Sequence, residues 1–227
     1  MLVKKFILAG LVALAVSAQA AMAGDTASFV NLGFSADGKT YMFGQYGIQS
    51  NGLRPWAEIY LVDVAKNDFL PGGKLSFVQE SGSNEWQDGS GALYHLIAEN
   101  GALFSKSRLD FLTRGKPLFI SLEGAQPADT IEFRDFANGI GYKASLKMTK
   151  EGANSSFYID VQKTDASGSE NSLKAGSPNI KRPVTSYTMR QVMAAPENKA
   201  LIFVIEMQKQ GTSGSDIRYM VETLPLK

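Results

Sequence analysis

Apolar positions along most of the chain recur with the period of two that marks strands. The clearest run is Trp56 to Val64. Alternation places Ala57, Ile59, Leu61 and Asp63 on one face and Trp56, Glu58, Tyr60, Val62 and Val64 on the other. Neither face is cleanly polar, which predicts a strand near a sheet centre, and Glu58 and Asp63 fall on opposite faces. Phe29 to Phe34 and Thr40 to Tyr46 read as a hairpin, because Asp37-Gly38 between them supplies a turn. Further strands are expected at Lys74 to Gln79, Leu118 to Leu122, Thr130 to Phe136, Tyr142 to Thr149 and Ser156 to Lys163. Thr185 to Met193, Leu201 to Met207 and Ile217 to Leu224 complete the set. Asn138-Gly139 marks a hairpin turn, although a tight two-residue turn is not required there.

One stretch changes period. Leu93, Leu96, Ile97 and Phe104 lie at helical spacings. Asp88-Gly89-Ser90 offers an N-terminal cap, and Asn100-Gly101 a C-terminal one. Leu103 to Leu112 predicts a second helix, closed by Gly115 and Pro117. Thr164 to Pro183 is rich in Ser, Gly, Asn and Lys and reads as a mobile surface loop. The fold class is therefore mainly β, an antiparallel meander forming a sandwich or incomplete propeller-like sheets, with a short two-helix insertion around 90–114.

The first residues follow another pattern. Lys4 and Lys5 precede the uncharged apolar run Phe6 to Val16, and small residues lead to Ala21-Met22-Ala23 before Gly24. This is the layout of a secretory signal peptide, with Ala18-Gln19-Ala20 as a second cleavage option. The run is too short to span a membrane, which takes about 20 residues. Residues 1–23 are thus read as a signal peptide and 24–227 as one β-rich secreted domain, periplasmic or extracellular after cleavage near Ala23. The whole chain carries +1, but the leader holds two Lys and no acid, so the remainder carries −1. No basic excess is left to suggest a nucleic-acid partner.

Composition removes further chemistry. The chain has no Cys and one His, His95. That excludes disulfides, zinc–thiolate sites, thiol nucleophiles and His clusters. No metal and no cofactor is expected. There is no Gly-x-Ser-x-Gly elbow and no phosphate-binding glycine loop. Glu85 and Asp88 flank Trp86, and two acids beside an aromatic platform suit a sugar site. The plainer role of that segment is a turn and helix cap. His95 is a candidate acid–base residue with no evident partner. Trp56 and Trp86 are candidate ligand-binding aromatics, although strand aromatics are more often core.

Two resemblances add to this. Ser35 to Phe43 aligns with Ala195 to Phe203, and Glu58 to Val62 with Asp216 to Met220. Each unit runs turn, strand, loop, strand, and resembles the blade repeat of TolB-type propellers. Over the mature chain, the segments starting at Gly24, Ala57, Thr130 and Ala200 resemble a family of bacterial predicted secreted proteins that form a domain of unknown function. The resemblance implies a secreted protein and brings no catalytic residue or ligand. The expectation is an exported, non-enzymatic binding protein for an unknown envelope or extracellular macromolecule. The alternative is a carbohydrate-active or other hydrolase with carboxylates near Trp86.

Overall fold

The computed structural model describes residues 24–83, 87–122, 126–211 and 214–226. The signal-peptide reading of 1–23 lies outside them. The described residues form three antiparallel sheets and two helices.

The first sheet holds β1 (Ser28–Ser35), β2 (Thr40–Ile48), β3 (Pro55–Asp63), β4 (Asp68–Val78) and the short β5 (Leu109–Asp110), in the order β4-β3-β2-β1-β5. The second holds β7 (Thr130–Asp135), β8 (Ile140–Glu151), β9 (Asn154–Thr164) and β10 (Glu170–Arg182), a meander in order β10-β9-β8-β7. The third holds β6 (Lys116–Ile120), β11 (Ser186–Ala194), β12 (Ala200–Gln210) and β13 (Ser215–Pro225), in order β13-β12-β11-β6.

The third sheet is the middle layer, and the sequence of β12 explains why. Leu201, Phe203, Ile205 and Met207 pack toward the second sheet, while Ala200, Ile202 and Val204 pack toward the first. Both faces of one strand are thus buried, and the alternating pattern becomes continuously apolar. The first sheet is also covered twice. Its inner face meets the third sheet through Phe34, Tyr41, Phe43 and Val62. Its outer face, with Ala57, Ile59 and Leu61, is covered by the helices α1 (Ser90–Glu99) and α2 (Gly101–Lys106). No helix among the described residues is long and apolar enough to cross a membrane.

Helix docking depends on two glycines. A Cβ at Gly44 would lie 2.8 Å from Leu93 Cδ1, so β2 gives the helix its close approach. Gly89, at the entry to α1, has φ +84, and a Cβ there would sit 2.4 Å from the Gly47 carbonyl oxygen. Gly89→Ala is therefore expected to lower stability by about 2 kcal/mol, through positive φ and the backbone clash together. Gly91→Ala, in open space within the same helix, should raise it by roughly 0.5–1 kcal/mol. Urea unfolding of the two variants checks both signs.

Three local expectations change. The stretch 164–183, expected as a loop, contains β10, paired with β9 from Glu170 to Ser177. Its side chains are mostly exposed, with Ala175 buried, so ladder hydrogen bonds hold it rather than an apolar face. The second helix is Gly101–Lys106 rather than 103–112; Arg108 at φ 53 turns the chain out and Leu109 enters β5. β4 starts at Asp68 rather than Lys74, running through Pro71-Gly72-Gly73 with a register shift opposite Tyr60 to Val62.

The two similar units are the hairpins β2–β3 of the first sheet and β12–β13 of the third, but β3 is flanked by β4 whereas β13 is an edge strand. Their turns meet, because the Gly38 position lies against Pro196.

Candidate functional site

At one side of the stack the edge strands of all three sheets, β4, β10 and β13, come together. They enclose a cavity of about 410 Å³. Its floor is the inner face of the first sheet, where Phe43, Glu58 and Tyr60 point toward β13. Phe69 of β4 and Ile180 and Arg182 of β10 line its other walls.

Side chains from the first sheet tie β13 to this place. β13 is an edge strand, so alternate backbone groups point away from β12. The Ile217 N–H donates to the Asp25 carbonyl (2.9 Å), the Tyr219 N–H to Gln45 Oε1 (2.8 Å) and the Thr223 N–H to Asn67 Oδ1 (2.7 Å). Alternation turns the N–H and C=O of Val221, midway between the last two, to the same side. Val221 lines the cavity.

Two glutamates of this region are held differently. Glu58 Oε2 accepts from Gln45 Nε2 (2.7 Å) and from the Tyr60 hydroxyl (2.8 Å). Burial, and then the charge of Glu58, push the Tyr60 hydroxyl far above its ordinary value, so it stays a donor. Glu222 is 4% exposed. Asn67 Nδ2 donates to its Oε2, and Arg182 lies 3.8 Å from its Oε1. Burial raises the Glu222 pKa, against the hydrogen bond from Asn67 and the charge of Arg182. Asn67 itself sits at φ 54 in the turn after β3, a conformation that Asn tolerates better than most residues.

The candidates read from sequence are placed elsewhere. Trp56 is 4% exposed, with the Arg218 guanidinium 4.1 Å above its ring. Arg218 also donates to the Asp25 carbonyl (2.8 Å) and pairs with its carboxylate (3.4 Å), so Trp56 backs an arginine that fastens residue 25. Asp88 accepts from the Ser90 N–H (2.9 Å), and hydrogen bonds from Ser90 lower its pKa. His95 lies on α1 between Glu99 (3.1 Å) and the ring of Phe77 (4.3 Å). None of these three lines the cavity. Glu85 and Trp86 lie outside the described residues.

Sequence reasoning named Glu58 only as an acid without a strand-mate, read Asn67 as turn chemistry and Arg182 as part of a small basic point on a loop, and did not single out Glu222. These residues come from four separate strands and turns, so no local spacing marks them. The one available signal was an acid at Glu222 between the apolar Val221 and the Thr223-Leu224 strand end.

The family described as "Predicted secreted protein (DUF2259)" matches residues 42–225. The chain belongs to that family. The match covers β3 to β13, hence all three edge strands around the cavity. A family of predicted secreted proteins agrees with the export segment read at the N-terminus and places the protein in the periplasm or outside the cell. Neither a curated protein nor a solved structure matches the chain.

Proposed function

We propose that the protein is an exported binding protein that takes its ligand in the cavity where the three sheets meet. One observation carries this reading: a nearly buried carboxylate, Glu222, stands at the wall of an accessible cavity, oriented by Asn67 from a neighbouring sheet. A buried charge is costly unless it is paired and hydrogen-bonded. Among the described residues, Glu222 has a hydrogen bond to one oxygen only, and its other oxygen faces a guanidinium beyond hydrogen-bond distance. A bound polar group would complete that shell. Pockets of this size that combine aromatic walls with a few convergent polar groups are the usual form of a small-ligand site.

Export and binding are tested together on protein recovered from the periplasm or medium. N-terminal sequencing should begin at Gly24. Amide NMR of that material, against a mixed panel of sugars, polyamines and polycarboxylates, should shift Phe69, Val221 and Glu222 with at least one member. A chain retaining residues 1–23 would overturn export, and a panel that leaves all three amides unmoved would overturn binding at this cavity.

A further inference from the structure

We infer that the ligand is a neutral carbohydrate, an inference that rests on the binding reading above. The wall charge is the first reason. Arg218 is committed to Asp25 at 3.4 Å. Setting it aside, the cavity wall carries Lys74, Arg182 and Lys209 against Glu58, Asp68 and Glu222. The two sets balance, so the wall has no net sign with which to select a cation or an anion. A purely apolar ligand would strip water from six charged groups and return no hydrogen bonds. A neutral polyol fits both signs, because each hydroxyl donates to a carboxylate and accepts from an ammonium or guanidinium.

The aromatic row is the second reason. Phe43 and Tyr60 stack with centroids 5.0 Å apart, and Tyr60 and Phe69 follow at 5.4 Å. The row runs from buried Phe43, 1% exposed, to Phe69, 37% exposed. Phe69 is tilted 41° to Tyr60 and carries Lys74 Nζ 4.1 Å over its ring, so the row is a stepped apolar surface leading inward, against which the C–H groups of a pyranose can lie beside an ammonium donor. Val221 adds a backbone donor and acceptor on the opposite wall, suited to hydroxyl or N-acetyl groups. The apolar row and the mixed polar rim together favour a sugar, whose ring presents a C–H face, over an acyclic polyol.

A free oligosaccharide and the end of a glycan polymer share this chemistry, and the two are distinguished by assay. Calorimetry with maltotriose, cellotriose and chitotriose tests the soluble form; co-sedimentation with insoluble chitin and cellulose tests the polymer. At least one trisaccharide should bind, and Phe69→Ala should weaken it about tenfold, the loss of one aromatic contact. Phe69 is partly exposed, so this variant should keep its unfolding midpoint close to that of the parent, which circular dichroism checks. Polymer pelleting of the parent without trisaccharide binding would assign the glycan-end source and support the sugar class. If spermidine or citrate binds and every sugar fails, the sugar class falls while cavity binding stands. Sugar binding that Phe69→Ala leaves unchanged would overturn the placement on this aromatic row.

Discussion

Phe203→Ala is expected to cost about 4 kcal/mol, close to the limit of what a domain of this kind tolerates. Phe203 lies on β12 and is fully buried, facing the second sheet. Its strand is one of the two inner members of the middle sheet, with β11 on one side and β13 on the other. Truncation removes the transfer energy of the ring and leaves a cavity between two sheets. Neither sheet can collapse freely, because Ile202 and Val204 on the reverse face anchor the same strand to the first sheet. Phe203→Leu, which keeps most of the volume, should cost less than about 1.5 kcal/mol. Urea unfolding followed by tryptophan fluorescence reads both values. A loss below 1 kcal/mol for the alanine variant would mean that β12 is not packed between two sheets.

Asn67→Ala is the second large effect, expected at about 3 kcal/mol. The side chain donates to Glu222 and accepts from the Thr223 N–H at 2.7 Å and its hydroxyl at 3.2 Å. Its loss leaves an edge-strand N–H and a buried carboxylate without their partners. Alanine also bears the strain of φ 54. Asn67→Gly relieves that strain without restoring the bonds, and should recover roughly 1 kcal/mol of the loss. An equal loss in both variants would assign the whole effect to the hydrogen bonds.

The same turn sets a pH dependence. Burial raises the Glu222 pKa, so the folded protein holds that proton more tightly than the unfolded chain does. The contribution of this group to stability is complete below the ordinary Glu value and declines as pH rises through the raised one. Glu222→Gln does not titrate, so its stability relative to the parent should increase across that window. A constant difference between the two proteins from pH 4 to 8 would contradict the raised pKa.

Much of the architecture was legible because burial imposes a period. Trp56 to Val64 reads as a strand with neither face cleanly polar, and β3 is covered on both sides by helices and the third sheet. Leu93, Leu96 and Phe104 read as a helical stripe and are buried against the first sheet. β10 was not legible. It is an outer strand with mostly exposed side chains, and its ladder to β9 is made by backbone groups that every sequence possesses. The cavity was hidden for a related reason. Glu58, Asn67, Arg182 and Glu222 converge only when three sheet edges meet, and nothing in their separate neighbourhoods records that meeting. Local chemistry drew the sequence reading to Asp88 and His95, which serve a helix entry and a helix surface.

The meeting point of β4, β10 and β13 is proposed as the binding site. A crystal structure of the mature chain with the tightest-binding panel compound tests it most directly. Density is expected inside the cavity, against the Tyr60–Phe69 rings and within hydrogen-bond distance of Glu222 or the Val221 backbone. A ligand bound instead in the open trough beside Phe136 and Tyr142, or over the His95 face of α1, with the cavity unoccupied, would contradict it.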